Sequence, residues 1–131
     1  MEQGYRGIVI AGTGLGHVNR PLFPALKRAI DQGVHVVMTV QTLWGFAQMY
    51  VYDTGRDLLD IGVVPLDNML PETALMKLGW VLGHTDDHDE VMAMMRKPVS
   101  HEITTREPHH GYLILQGGLP DVEAFITDHW K

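Results

Sequence analysis

The sequence predicts a three-layer, Rossmann-like α/β domain built on a small, mainly parallel sheet. Three observations lead there. Two short runs, "RGIVIAG" (6–12) and "VHVVMTV" (34–40), are almost continuously apolar and rich in β-branched residues. That is the pattern of strands covered on both faces. Between them Leu22, Phe23, Leu26, Ala29 and Ile30 recur at helical spacing, with Lys27, Arg28 and Asp31 on the other face. Strand, helix and strand over 6–40 form a βαβ unit, whose crossover is right-handed and whose strands run parallel.

Each element has its own local signals. Asn19 can cap the first helix, and Pro21 suits its first turn, where no backbone N–H is needed. Gly33 stands where that helix stops. "QTLWGFAQMYVYDTG" (41–55) carries no clean period and reads as a long functional loop. "TGRDLLDIG" (54–62) reads as a short helix capped by Asp53 or Thr54 and stopped by Gly62. "VVPLDNMLPETALMKLGWVLG" (63–83) holds a turn and then a helix starting at Pro71 and Glu72. That helix is apolar almost all round, interrupted late by Lys77, and so expects burial on several sides. "HTDDHDEVMAMMRKP" (84–98) starts another helix under Asp86 and Asp87, closed by Pro98. "GYLILQGG" (111–118) reads as a third strand or an extended arm, and "PDVEAFITDHW" (120–130) as a short final helix.

Composition narrows the function classes. The chain has 131 residues, enough for one cored domain and too few for two. A net charge of −6 argues against this segment being the main grip on nucleic acid, because phosphate binding needs clustered Lys and Arg. The chain has no cysteine, which removes disulfides, thiolate metal sites and cysteine nucleophiles and fits a reducing cytoplasm. The apolar run near the N-terminus is too short for a signal peptide, and no segment is long enough to span a bilayer.

A two-stranded sheet leaves open edges, and two greasy helices need cover. The chain therefore reads as one part of a larger unit. Its most suggestive stretch is the loop Gly12, Thr13, Gly14, Leu15, Gly16 and His17 after the first strand. A dinucleotide site would need glycine where His17 stands and an acid at the end of the second strand, and a Walker loop would need Gly-Lys-Ser/Thr. The loop fits better as a place where backbone comes close to a ligand or a neighbouring protomer. Thr39, Gln41 and Thr42 end the second strand, and Tyr50, Tyr52 and Thr54 carry hydroxyls in the following loop. Carboxyl ends of parallel strands are where open α/β sheets bind ligands. His84 and His88 are four apart, but the intervening aspartates read as a helix cap rather than part of a metal site. His109 and His110 read as solvated. No metal and no cofactor is expected.

"GTGLGHV", then "QTLWG", then "YVYDTGRDLLDIGVVPLDNMLPETALMKLGWVLG" together resemble the C-terminal domain of the asparaginase-type amidohydrolases. The closer likeness is to cytoplasmic (type I) asparaginases and to their archaeal relative, the D-type component of glutamyl-tRNA(Gln) amidotransferase. "SHEITTR" (100–106) is similar to the segment that follows in that component. The likeness covers roughly residues 7–106, and residues from Glu107 onward match less well.

The resemblance implies a two-domain parent whose N-terminal domain holds a threonine nucleophile in a "TGGT" type motif and a second threonine in a "GTD" type motif. Neither string occurs in this sequence. The segment alone is therefore expected to be inactive, with no catalytic residue of its own. The resemblance further implies a homodimer in which the loop at Gly12–His17 reaches toward the partner's glutamine or asparagine. His17 stands where secreted asparaginases carry asparagine, and no glutamate near Tyr50 matches the one offered by those enzymes. The implied function is that of a cytoplasmic glutamine amidohydrolase passing ammonia to a tRNA-binding amidotransferase subunit. A free L-asparaginase is the alternative, and a non-catalytic assembly or amide-sensing module is a rival of another class. The expected domain organisation is one domain over 1–131, belonging to a larger unit as an excised domain rather than a separately encoded polypeptide.

Overall fold

A computed structural model describes residues 4–104. Three parallel strands lie in the order β1 (Gly7–Gly12), β2 (His35–Val40), β3 (Val64–Pro65). Register runs from Gly7 opposite His35 to Gly12 opposite Val40, and Val37 and Met38 face Val64 and Pro65. The third strand comes from "VVP", which by sequence reads as the approach to a turn. Two residues are too short to show a period, and among the described residues Pro65 lies at a sheet edge, where it costs no ladder bond. The 111–118 run, the 120–130 helix, and His109 and His110 lie outside the described residues.

A 3-10 turn at Arg20–Leu22 leads into α1 (Phe23–Asp31), and α2 (Asp53–Asp60) follows the long loop. These two cover one face of the sheet. α3 (Pro71–Leu82) and α4 (His88–Arg96) cover the other. Strand β2 sends Val36, Met38 and Val40 toward Ala29, Met49 and Leu58, and Val37 toward Leu78, Val81 and Met95. The architecture is therefore three-layer α/β.

Local chemistry explains most boundaries. Asp87 caps α4, its carboxylate accepting from the Glu90 amide at 3.0 Å. α1 ends on Gly33, whose φ of +83° suits glycine. Asn19 precedes the 3-10 turn, but its side chain makes no capping bond. α2 begins one residue earlier than the sequence suggests. Tyr52 takes the cap position, and Asp53 sits in the first turn with its carboxylate on the Thr54 amide at 2.7 Å. An acid placed there interacts well with the helix dipole.

Two expectations are corrected. The apolar runs predict cover on both faces of both strands. Strand β2 is fully buried, but β1 is only partly so, and its Ala11 is exposed. The reason is position: β2 lies between two strands, whereas among the described residues nothing pairs with the outer edge of β1. The composition of α3 predicts burial on several sides. The helix buries one face (Ala74, Lys77, Leu78, Val81, Leu82) and leaves Leu75, Met76 and Trp80 exposed.

Lys77, which interrupts the apolar pattern of α3, is thus buried. Its ammonium donates to the Lys97 carbonyl at 2.7 Å and to Glu102 at 2.5 Å. Side-chain exposures of 7% and 10% make this an interior ion pair. Burial pushes the Glu102 carboxyl up, but the bond from Lys77 and backbone amides at Ser100, Glu102 and Val99 outweigh it and hold the group at about 2. Asn68 adds a second clasp. Its carbonyl accepts from the Thr104 amide at 2.9 Å and its amide donates to the Thr104 hydroxyl at 2.6 Å. Residues 97–104 are thereby fastened along α3 and back to the end of β3.

Candidate functional site

The site begins where β1 ends. Thr13 and His17 form a tight hairpin: the Thr13 amide donates to the His17 carbonyl at 2.9 Å, and the Gly16 and His17 amides return to the Thr13 carbonyl at 3.0 Å. The Thr13 hydroxyl also reaches the His17 carbonyl at 3.2 Å. Gly14 and Gly16 have φ of +52° and +94°, so the alternating glycines supply the turn. Gly16 also lies on Met38 and Met49 so closely that a Cβ would stand 3.0 Å from the Met38 Cγ. A phosphate cradle needs amides aimed outward. Here three of them are used to hold the loop's own shape.

The hairpin turns His17 toward α2. His17 Nδ1 lies 3.1 Å from the Thr54 hydroxyl, and its ring meets the Tyr52 ring edge-on at 5.5 Å. His17 Nε2 is buried without a protein partner among the described residues. The Gln41 amide donates to the Gly12 carbonyl at 2.9 Å, so β2 leaves the sheet beside the hairpin. Thr42 folds onto its own loop, its hydroxyl donating to the Trp44 carbonyl at 2.9 Å. The structure thus gathers Gly12, Thr13, Gly14, Leu15, Gly16, His17, Gln41, Tyr52 and Thr54 at the carboxyl rim of the sheet, with Thr42 beside them and its hydroxyl committed to its own loop. Thr39 does not belong to this rim surface. It is fully buried, and its hydroxyl is committed to the Ile10 carbonyl at 2.9 Å.

Sequence reasoning passes over the residues that hold this rim together. Arg20 reaches across to α2 and pairs with Asp53 at 2.9 Å and Asp57 at 2.8 Å. Asp53 and Asp57, one helical turn apart, are the available signal. Arg56 donates to the carbonyls of Tyr50 and Val51 at 3.0 and 3.3 Å, pinning the loop that leaves Tyr50 exposed. Gly55 carries α2 directly over this loop: a Cβ there would lie 2.2 Å from the Met49 carbonyl oxygen.

The histidines of 84–88 diverge. His84 Nδ1 contacts the Trp80 carbonyl at 2.8 Å, while His88 turns to His35. Among the described residues no three His, Cys, Asp or Glu side chains converge as metal ligands. The rim offers hydroxyls and one imidazole. Histidine and threonine are in contact, but among the described residues no carboxylate orients the imidazole. The rim can position a polar group through these hydroxyls and the imidazole.

Known proteins agree with this architecture. Residues 1–95 match the glutaminase/asparaginase C-terminal domain family. The chain belongs to that family. It is 56% identical over 104 residues to the D-type component of glutamyl-tRNA(Gln) amidotransferase from Thermococcus kodakarensis, covering 79% of this chain and 24% of that protein. Identity to the corresponding component from Pyrococcus furiosus is 52% over 114 residues, covering 87% of this chain and 26% of that one. Among solved structures, the thermostable L-asparaginase of T. kodakarensis superposes with a TM-score of 0.72 at 36% identity, covering 79% of this chain and 32% of that one. L-asparaginase I of Vibrio cholerae gives 0.70 at 36% identity, covering 78% and 31%. The chain therefore spans about a quarter of the length of the amidotransferase relatives it matches. No helix among the described residues is long and apolar enough to cross a membrane.

Proposed function

We propose that this chain is the C-terminal domain of the D-type component of a glutamyl-tRNA(Gln) amidotransferase, a cytoplasmic glutamine amidohydrolase that releases ammonia for amidation of glutamyl-tRNA(Gln). The observation that carries the reading is 56% identity, over 104 residues, to a protein named as that component. In this reading the threonine nucleophile belongs to an N-terminal asparaginase-type domain. The rim at Gly12–His17, Gln41, Thr42, Tyr52 and Thr54 faces that domain or its copy in a homodimer, close to bound glutamine. A tRNA-binding subunit receives the ammonia.

Two surface features support a companion. Met76 and Trp80 are 75% and 50% exposed on α3, and an open hollow of about 230 Å³ lies between them and Val99. In this reading a companion polypeptide covers this apolar surface. The likeness to two L-asparaginases at 36% identity favours a free L-asparaginase as the second reading.

Ammonia release from glutamine and from asparagine tests both, using the 131-residue chain alone and mixed with the N-terminal domain of a D-type amidotransferase component. The expected outcome is no turnover alone and glutamine turnover in the mixture. Turnover of asparagine in preference to glutamine selects the second reading. Turnover by the chain alone overturns the placement of the nucleophile, and amide binding without turnover in either sample points to a sensing module.

A further inference from the structure

At the end of the sheet opposite the rim, four elements converge on two histidines. The Arg6 carbonyl accepts from the His35 amide at 2.9 Å as β1 and β2 begin. The Arg6 guanidinium donates to the Leu82 carbonyl at the end of α3, at 2.7 Å, and pairs with Asp86. His35 is 4% exposed, and its ring stacks on His88 with centroids 5.3 Å apart and planes 13° from parallel. The two Nδ1 atoms are 3.3 Å apart. That separation accommodates one proton between the nitrogens and not two. Two imidazolium rings stacked this closely would repel each other beside a third cation, Arg6.

We infer that the His35–His88 stack is an acid-released latch that holds the first turn of α4 on the start of β2. His88 is the first residue of α4, and the helix carries Val91 and Met92 into the core shared with α3. Releasing it uncovers that apolar surface. The charged groups around His35 oppose one another. Burial, then His88, hold its pKa below the ordinary 6.5, with Arg6 acting the same way and Asp86 and Asp87 pulling upward. A lowered histidine pKa means the closed form binds fewer protons than the open form. Latch stability is then full above 6.5 and is lost as pH falls below it.

Amide hydrogen exchange on the 131-residue chain tests this, read over 88–92 and corrected for the intrinsic pH dependence of exchange. Between about pH 7.5 and about pH 5.5, protection there should fall by roughly fivefold or more while central β2 amides change less. His88→Gln and His35→Gln should each remove that pH dependence. Should either variant fail to fold, NMR titration of both imidazoles in the unaltered chain decides the matter. A coupled pair of transitions supports the latch. Two independent transitions at the ordinary histidine value overturn it, as does protection of 88–92 that is equal at both pH values.

Discussion

The two helical layers do the same job on opposite faces of one sheet and finish it differently. α1 and α2 bury Ala29, Gly55 and Leu58 and show Lys27, Arg28, Asp31, Arg56 and Asp60 toward solvent. α3 and α4 bury a larger set, yet α3 shows Leu75, Met76 and Trp80. One layer is sealed by polar side chains and the other still has apolar surface to cover. The inversion is sharpest at Lys77. The most polar residue of the later turns of α3 lies inside, while its apolar neighbours Met76 and Trp80 lie outside. Amphipathicity read from one chain treats apolar as inward. In α3 the bonds from Lys77 to Glu102 and to the Lys97 carbonyl reverse that rule.

The largest way to break this contrast is at Lys77. Lys77→Ala removes the ammonium from the largely buried Glu102 carboxylate and leaves it only its backbone amide donors. Its edge retains some solvent contact, so the expected loss is about 2–4 kcal/mol, measured by urea unfolding. Lys77→Met with Glu102→Gln should recover much of it. On the sealed layer, Leu58→Ala opens a cavity under a fully buried residue and should cost about 2–4 kcal/mol in the same measurement. The ion pair can also be probed through pH. A carboxyl held down at about 2 contributes stability that is complete above its ordinary 4.5 and lost as pH falls from 4.5 through 2. Acid unfolding of Glu102→Gln should be flatter than that of the unaltered chain across this window. The smallest effect is expected on the open face. Met76→Ser should change the stability of the chain alone by less than about 1 kcal/mol while weakening association with an N-terminal domain. A large loss of stability without any companion would mean that α3 is already covered.

At the candidate site, a glycine loop after the first strand and the end of β2 are legible in the sequence, whereas the hairpin that Thr13 and His17 close is not. Tyr52 and Thr54 are legible as hydroxyl-bearing residues, but their contact with His17 is not. It depends on α2 lying over the loop, which Gly55 and the Arg20 pairs with Asp53 and Asp57 secure between segments distant in the chain. Thr39 misleads for the converse reason. Position near a strand end suggests exposure, but the Ile10 carbonyl captures its hydroxyl within the sheet.

The amino-acid order alone determined the βαβ start, the helices on either side of the sheet and the glycine loop after the first strand, because periodicity, capping and turn chemistry act between residues close together in the chain. Tertiary structure alone decided which strand is sealed, that "VVP" pairs as a third strand, that Lys77 is interior, and that His17 meets Thr54 and His35 meets His88. Those outcomes depend on contacts between distant segments, where burial and partner geometry outweigh the preferences of any single stretch.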